Sequence, residues 1–221
     1  LVSEFTSSVY ENREILESLG LTVFSGSNNW AVSGDKSSTG KPILANDMHL
    51  GLNAPGIWYQ MHQIVDGKLN VTGVVLPGQP FVITGHNHDI AWGMTNVMTD
   101  DMDFYIETIN PDNRLQYKFN GEWRDMEIKN EVIRYGNNDS TIRELLFTHR
   151  GPIISDFKNL DNIAVSMRWT GNEYSNELRS IYKLNRASNW SEFRDALTTF
   201  TSLSQNINYI DTKGNIGLQT A

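Results

Sequence analysis

Short apolar runs broken by turn-forming residues dominate the chain between Asn29 and about Arg168. They fall at 30–32, 42–45, 57–65, 69–75, 81–83, 90–93 and 104–108, with Gly, Pro, Asn and Asp between them, which is the punctuation of strands and turns. From Tyr117 to Arg150 the pattern predicts hairpins with tight turns at Asn120-Gly121 and Asn137-Asn138, residue types that tolerate the positive φ such turns need. Helical spacing occurs in three places. Phe5, Val9, Ile15 and Leu16 predict a helix over 3–19 that Gly20 ends. Leu178, Ile181, Tyr182 and Asn185 share a second helical face, and Asn189 with Glu192 forms a cap-like pair ahead of Phe193, Leu197 and Phe200. Two closing strands, 206–211 and 216–218, flank a turn at Lys213-Gly214. Strands, two helices, then strands again predict layered α+β packing. The pattern stops at Ala221 as the last hairpin returns, and the chain opens on Leu1 without Met, so the expectation is a piece cut from a larger fold.

Composition narrows the function classes. The 26 acidic residues outnumber the 18 basic ones, and the resulting charge of −8 repels a phosphate backbone, which argues against nucleic acid as a partner. No apolar run reaches the length of a bilayer span. With no cysteine there are no disulfides or thiolate metal sites, and sulfur usage leaves the compartment unread.

Several segments carry candidate chemistry. Ser25-Gly26-Ser27-Asn28-Asn29-Trp30 reads as a polar loop entering a strand, and a lone serine there would mean little. It is followed by Ala45-Asn46-Asp47-Met48-His49-Leu50, by Pro77-Gly78-Gln79-Pro80 leading to Gly85-His86-Asn87, and by Ile90-Ala91-Trp92-Gly93 with Thr95-Asn96. Asp100-Asp101-Met102-Asp103, His149-Arg150-Gly151-Pro152 and Gly214-Asn215-Ile216-Gly217 complete the set. In this order, over about residues 21 to 221, they resemble the penicillin acylase family of N-terminal nucleophile hydrolases. Met48 departs from the family's usual proline, and each segment alone is a weak signal.

The resemblance implies a four-layer αββα sandwich, incomplete here, in which residues 1–26 are a precursor spacer and 27–221 are part of the catalytic β-chain. It implies Ser27 as nucleophile of an amidohydrolase acting on penicillin-like or related N-acyl amides. A serine hydroxyl needs a base, and an α-amino group with an ordinary pKa near 8 can serve once the Gly26–Ser27 bond is cut, a cut the family makes autocatalytically. Donors for the tetrahedral oxyanion would be the Asn96 backbone N–H and the Asn206 side-chain amide, the plainer alternative for Asn206 being a strand-edge asparagine that satisfies backbone. His49 would orient a water or the Ser27 amine; the plainer alternative is a histidine bonded within the core.

Asp100, the Met102 carbonyl and Asp103 match positions that ligate a structural calcium in the family, against the alternative of a solvated acidic turn. His86 and His88 lack a third ligand and are read as structural, while His62 and His149 carry no specific signal. The expected partners are the α-chain of the same precursor and a small N-acyl amide, with periplasmic or extracellular placement implied and cytoplasm left open. For this chain the expectation is an uncut Gly26–Ser27 bond, a blocked nucleophile and so an inactive zymogen. The rival readings are an acyl-homoserine lactone acylase of the same family and a non-catalytic calcium- or glycan-binding module.

Overall fold

The computed structural model describes residues 26–50, 54–155 and 163–221. The helix expected over 3–19 lies outside them. The chain folds as two compact units, one made of residues up to Thr99 together with Tyr174–Ala221, the other of Asp100–Glu173.

In the first unit, β1 (Ser27–Val32) and β2 (Ile43–Met48) form an antiparallel hairpin. Strands β3 (Tyr59–Val65), β4 (Leu69–Val75), β5 (Thr84–His86) and β6 (Ile90–Asn96) belong to a larger sheet. In the second unit, β7 (Met102–Glu107) pairs with β13 (Ala164–Trp169), a strand that the apolar runs do not single out. Between them come β8 (Ile109–Asn110), β9 (Asn113–Phe119), β10 (Glu122–Asp125), β11 (Glu127–Tyr135) and β12 (Asp139–Phe147). Helices α1 (Glu177–Leu184) and α2 (Trp190–Ala196) then lead to β14 (Gln205–Asp211) and β15 (Ile216–Thr220). The larger sheet has the order β15-β14-β6-β5-β4-β3 and is antiparallel throughout.

Alternation along these strands sends two sets of side chains to opposite faces. Val71, Val75, Ile90, Trp92, Ile207 and Tyr209 point to one face and are buried against Ile181, Leu184, Phe193 and Leu197 of the helical layer. Each such side chain contributes about 1.5–3 kcal/mol by leaving water. The helices start where the sequence provides caps: the Asn176 side chain accepts from Arg179 N–H and that of Asn189 from Glu192 N–H. Glu192 reaches back to the backbone N–H of Ser188, one residue before the cap, at 2.8 Å. The run 81–83 does not form a strand. Val82 gives its N–H to Asn185 Oδ1 at 2.9 Å and takes the Asn185 amide on its carbonyl at 2.7 Å, so its backbone is spent on the end of α1, and pairing with β6 starts later, at Gly85.

The β1–β2 hairpin lies over the other face of the sheet. Asn46 holds it there with its full bonding capacity: its amide donates to Asn28 O and Met94 O, and its oxygen accepts from Thr84 Oγ1 and Met94 N–H. Asn29 adds bonds to Gly93 O at 2.6 Å and to the Asn208 amide at 2.9 Å. Gly93 permits this approach, because a Cβ there would lie 2.8 Å from Asn46 Cβ. Helices, sheet and hairpin are three of the four expected layers, and the α+β class stands.

The second unit is built around a small cluster of Tyr117, Met126 and Ile153. Glu107 is buried beside it, receiving Arg150 Nη1 at 2.9 Å and Ser166 Oγ at 2.6 Å. The turn at Asn120-Gly121 forms as expected, with φ of 52° and 89°. The β11–β12 connection includes Gly136 as well as Asn137 and Asn138, and its strands are long and solvent-facing, with Val132 opposite Ile142. Among the described residues no helix is long and apolar enough to cross a membrane.

Candidate active site

Ser27 opens β1, half-buried, on the side of the hairpin that faces the sheet. It lies in the wall of a cavity of about 330 Å³ that also includes Thr95, Asn96 and Gln205. The rest of the wall is mostly apolar, from Leu50, Trp58, Leu76, Ile83, Phe200 and Leu203. Ser27 Oγ makes no hydrogen bond among the described residues.

Asn96 ends β6 opposite Gln205, whose amide donates to Asn96 Oδ1 at 2.6 Å. The next residue, Val97, gives its N–H to Ser204 O, so the alternation of an antiparallel ladder turns the Asn96 N–H away from β14. On that other side, β5 meets β6 only at Gly85–Trp92 and His86–Ala91, and β6 has outrun it by Asn96. The amide is therefore aimed past the end of the sheet.

Asn206 pairs with Thr95 on one side and Thr220 on the other, and shares a strand face with Asn208, which bonds to Asn29 of the hairpin. Its Oδ1 accepts from Thr220 Oγ1 at 2.8 Å, which fixes the amide orientation and leaves Nδ2 without a partner among the described residues. Asn206 is not part of the cavity wall, and no hydrogen bond joins it to Ser27. The two residues nonetheless occupy the same interlayer space, next to the Asn29–Asn208 pair that ties the layers together.

His49 follows β2, and its own N–H donates to Gly26 O at 3.3 Å. Its Nε2 lies 2.8 Å from Asp47 Oδ2 and 3.3 Å from Asn28 Nδ2. The core alternative fails here, since the His49 side chain is 43 % exposed. Asp47 escapes the sequence reading although the signal is present: residues two apart on a strand share a face, and Asp47 and His49 have that spacing.

Glu177, at the start of α1, also lines the cavity. Burial by itself would raise its carboxyl, but the Ser175 hydroxyl and the backbone N–H groups of Ser202 and Thr201 outweigh it and hold the group below the usual carboxylate range. That carboxylate is committed to the chain turn it binds. Trp58 contributes a buried indole N–H with no partner among the described residues.

Asp100, Met102 and Asp103 belong to the second unit. Met102 and Asp103 start β7 opposite Trp169 and Arg168, and Asp103 Oδ2 receives the Tyr105 hydroxyl at 3.4 Å. Two carboxylates and a carbonyl are donors of the type calcium takes, yet the ion needs 6–8 oxygens. Among the described residues no group of three His, Cys, Asp or Glu side chains gathers to hold a metal, so this stretch would supply only part of such a shell.

Comparison with known proteins places these residues in context. Residues 3–221 match the family described as penicillin amidase. The acyl-homoserine lactone acylase QuiP of Pseudomonas aeruginosa is 31 % identical over 214 residues, covering 91 % of this chain and 25 % of that protein. Penicillin G acylase of Escherichia coli is 30 % identical over 192 residues, covering 86 % of this chain and 22 % of that protein. Among solved structures, the thermostable penicillin G acylase of Alcaligenes faecalis superposes with a TM-score of 0.75 at 29 % identity, over 89 % of this chain and 35 % of that one. The chain spans about a quarter of the length of the curated relatives it matches.

Proposed function

Because the chain belongs to the penicillin amidase family, we propose that it carries the nucleophile of an amide hydrolase, with Ser27 attacking the acyl carbon of an N-acyl amide. The observation that carries the reading is the position of Ser27: its hydroxyl, with no hydrogen bond among the described residues, lies in the wall of an apolar cavity that also includes Asn96. Cleavage of the Gly26–Ser27 bond converts an amide nitrogen with no basic lone pair into an amine that can take the hydroxyl proton. The acyl group lies along Leu50, Leu76, Ile83 and Phe200. Negative charge on the carbonyl oxygen is then met by the Asn96 N–H and by Asn206 Nδ2, each worth roughly 10²–10³ in rate. His49 orients a water or the Ser27 amine. Calcium, held in part by Asp100, the Met102 carbonyl and Asp103, is a structural element of the same proposal, and no chemical step passes through it.

Penicillin-like amides are the proposed substrates. An acyl-homoserine lactone is the second reading, favoured by the 31 % identity to QuiP, and it presents the same bond with a different leaving group. The test uses the full-length protein. Ser27→Ala is expected to abolish both chain splitting and turnover of acyl amides and acyl-homoserine lactones, and Asn206→Ala to lower turnover by about 10²–10³. Splitting and turnover that both survive Ser27→Ala would end the proposal, whereas a full-length wild type that neither splits nor turns over these substrates would put a calcium- or glycan-binding module in its place.

A further inference from the structure

We propose that Asp47 is a positioning residue for self-cleavage at Gly26–Ser27, holding His49 as the base that hydrolyses the ester formed midway. This rests on the reading of Ser27 as nucleophile.

The two faces of the hairpin are chemically distinct around this bond. Ser27 turns toward the cavity, whereas Asn28 and Asp47, paired across the strands, are exposed on the opposite face. His49 joins that outer face next to Gly26, which is itself exposed, so water reaches this side of the peptide. A Cβ on Gly26 would lie 3.9 Å from His49 Nδ1. The Asp47 carboxylate can only accept, so the 2.8 Å contact puts the proton of a neutral His49 on Nε2 and leaves the Nδ1 lone pair facing Gly26. The Gly26 carbonyl already has a donor in the His49 backbone N–H at 3.3 Å. That donor is separate from Asn96 and Asn206, which the substrate reaction uses.

The steps balance without any added reagent except water. Ser27 Oγ bonds to the Gly26 carbonyl carbon from the cavity side, the C–N bond breaks, and the hydroxyl proton ends on the Ser27 nitrogen. The product is an ester between Gly26 and Ser27 Oγ beside a free amine. Water then bonds to the same carbon and passes a proton to His49 Nδ1. As the C–Oγ bond breaks, that proton goes to Oγ, restoring the Ser27 hydroxyl, and the new Gly26 carboxylic acid releases its remaining proton to solvent to become a carboxylate.

Asp47 is exposed, so its replacement leaves the fold a small perturbation. The test follows splitting of full-length precursor by mass spectrometry for the wild type, Asp47→Asn, Asp47→Ala and Asp47→Glu, with and without hydroxylamine, which captures an ester as a hydroxamate on Gly26. Asp47→Asn keeps the size of the side chain but lets His49 take either tautomer. Asp47→Asn and Asp47→Ala are both expected to split at least about tenfold more slowly, against the roughly 10²–10⁴ a complete general base supplies. Both should accumulate hydroxylamine-trappable ester, and Asp47→Glu should recover most of the rate. Wild-type splitting in Asp47→Asn overturns the proposal, and so does slow splitting with no ester trapped. Splitting that persists in Ser27→Ala marks failure of the underlying reading instead.

Discussion

The two faces of the six-stranded sheet are held by different forces. Against the helices, Trp92, Tyr209 and Ile207 meet Phe193 and Leu184 in a close-packed apolar layer, with ring centroids of Phe193 and Tyr209 5.0 Å apart. Against the hairpin, Asn29, Asn46, Asn208 and Thr84 meet through directed hydrogen bonds. Apolar packing is strong and tolerates exchange of side chains of similar volume. Amide bonds contribute less net energy each, about 1 kcal/mol, but fix one register and one depth. The first face makes the unit stable; the second decides where Ser27 sits.

That contrast can be broken or sharpened by substitution. The largest effect is expected from Trp92→Ala, which empties a fully buried site and also loses the indole bond to Ile83 O, costing about 3–5 kcal/mol in a denaturant melt. A loss under 1 kcal/mol would mean that the helical face is not the stabilising one. Asn46→Ala removes four hydrogen bonds and strands the Met94 carbonyl and amide, an expected loss of about 2–3 kcal/mol. Its sharper signature is a fall in Ser27-dependent splitting larger than that of a helix-face variant of equal stability. Equal falls in the two variants would erase the distinction between the faces.

A pH series tests the same line at the end of β14. Burial tends to raise the Asp211 carboxyl, but donors from the Asn215 side chain and backbone, the Tyr209 hydroxyl and Lys213 N–H win and hold it below the usual carboxylate range. A depressed carboxylate gives stability that is present above the unfolded pKa near 3.9 and lost as pH falls through the folded value. Asp211→Asn is therefore expected to flatten the stability curve below about pH 4. An unchanged slope would mean that other carboxylates control acid unfolding. The smallest effect belongs to Trp58→Phe, within about 1 kcal/mol and in the stabilising direction, since the lost indole N–H leaves behind no partner among the described residues.

Much of this was legible in the residues, for physical reasons that differ by element. Alternation over 69–75 and 206–211 predicts β4 and β14 because one face of each is buried and the other is not. The Asn189 and Glu192 pair predicts α2 because capping is local chemistry. The run 81–83 misleads because its backbone is claimed by Asn185, a partner 103 residues away from Val82 that no local pattern reveals. At the site, the Ser27, Asn96 and His49 segments were readable as motifs, while the Asn29–Asn208 bond, spanning 179 positions, exists only once the layers stack. Asp47 stood in plain view two residues before His49 and needed only the strand period to be noticed.

Gly93 sets the tolerance of the whole arrangement. With 2.8 Å between the place its Cβ would occupy and Asn46 Cβ, hairpin and sheet are spaced by the absence of a single methyl group. An alanine there would act as a shim, prying the hairpin that carries Ser27 from its seat and loosening the Asn46 bonds while the helix-facing layer beneath stays packed, so one carbon sets how deep that strand lies.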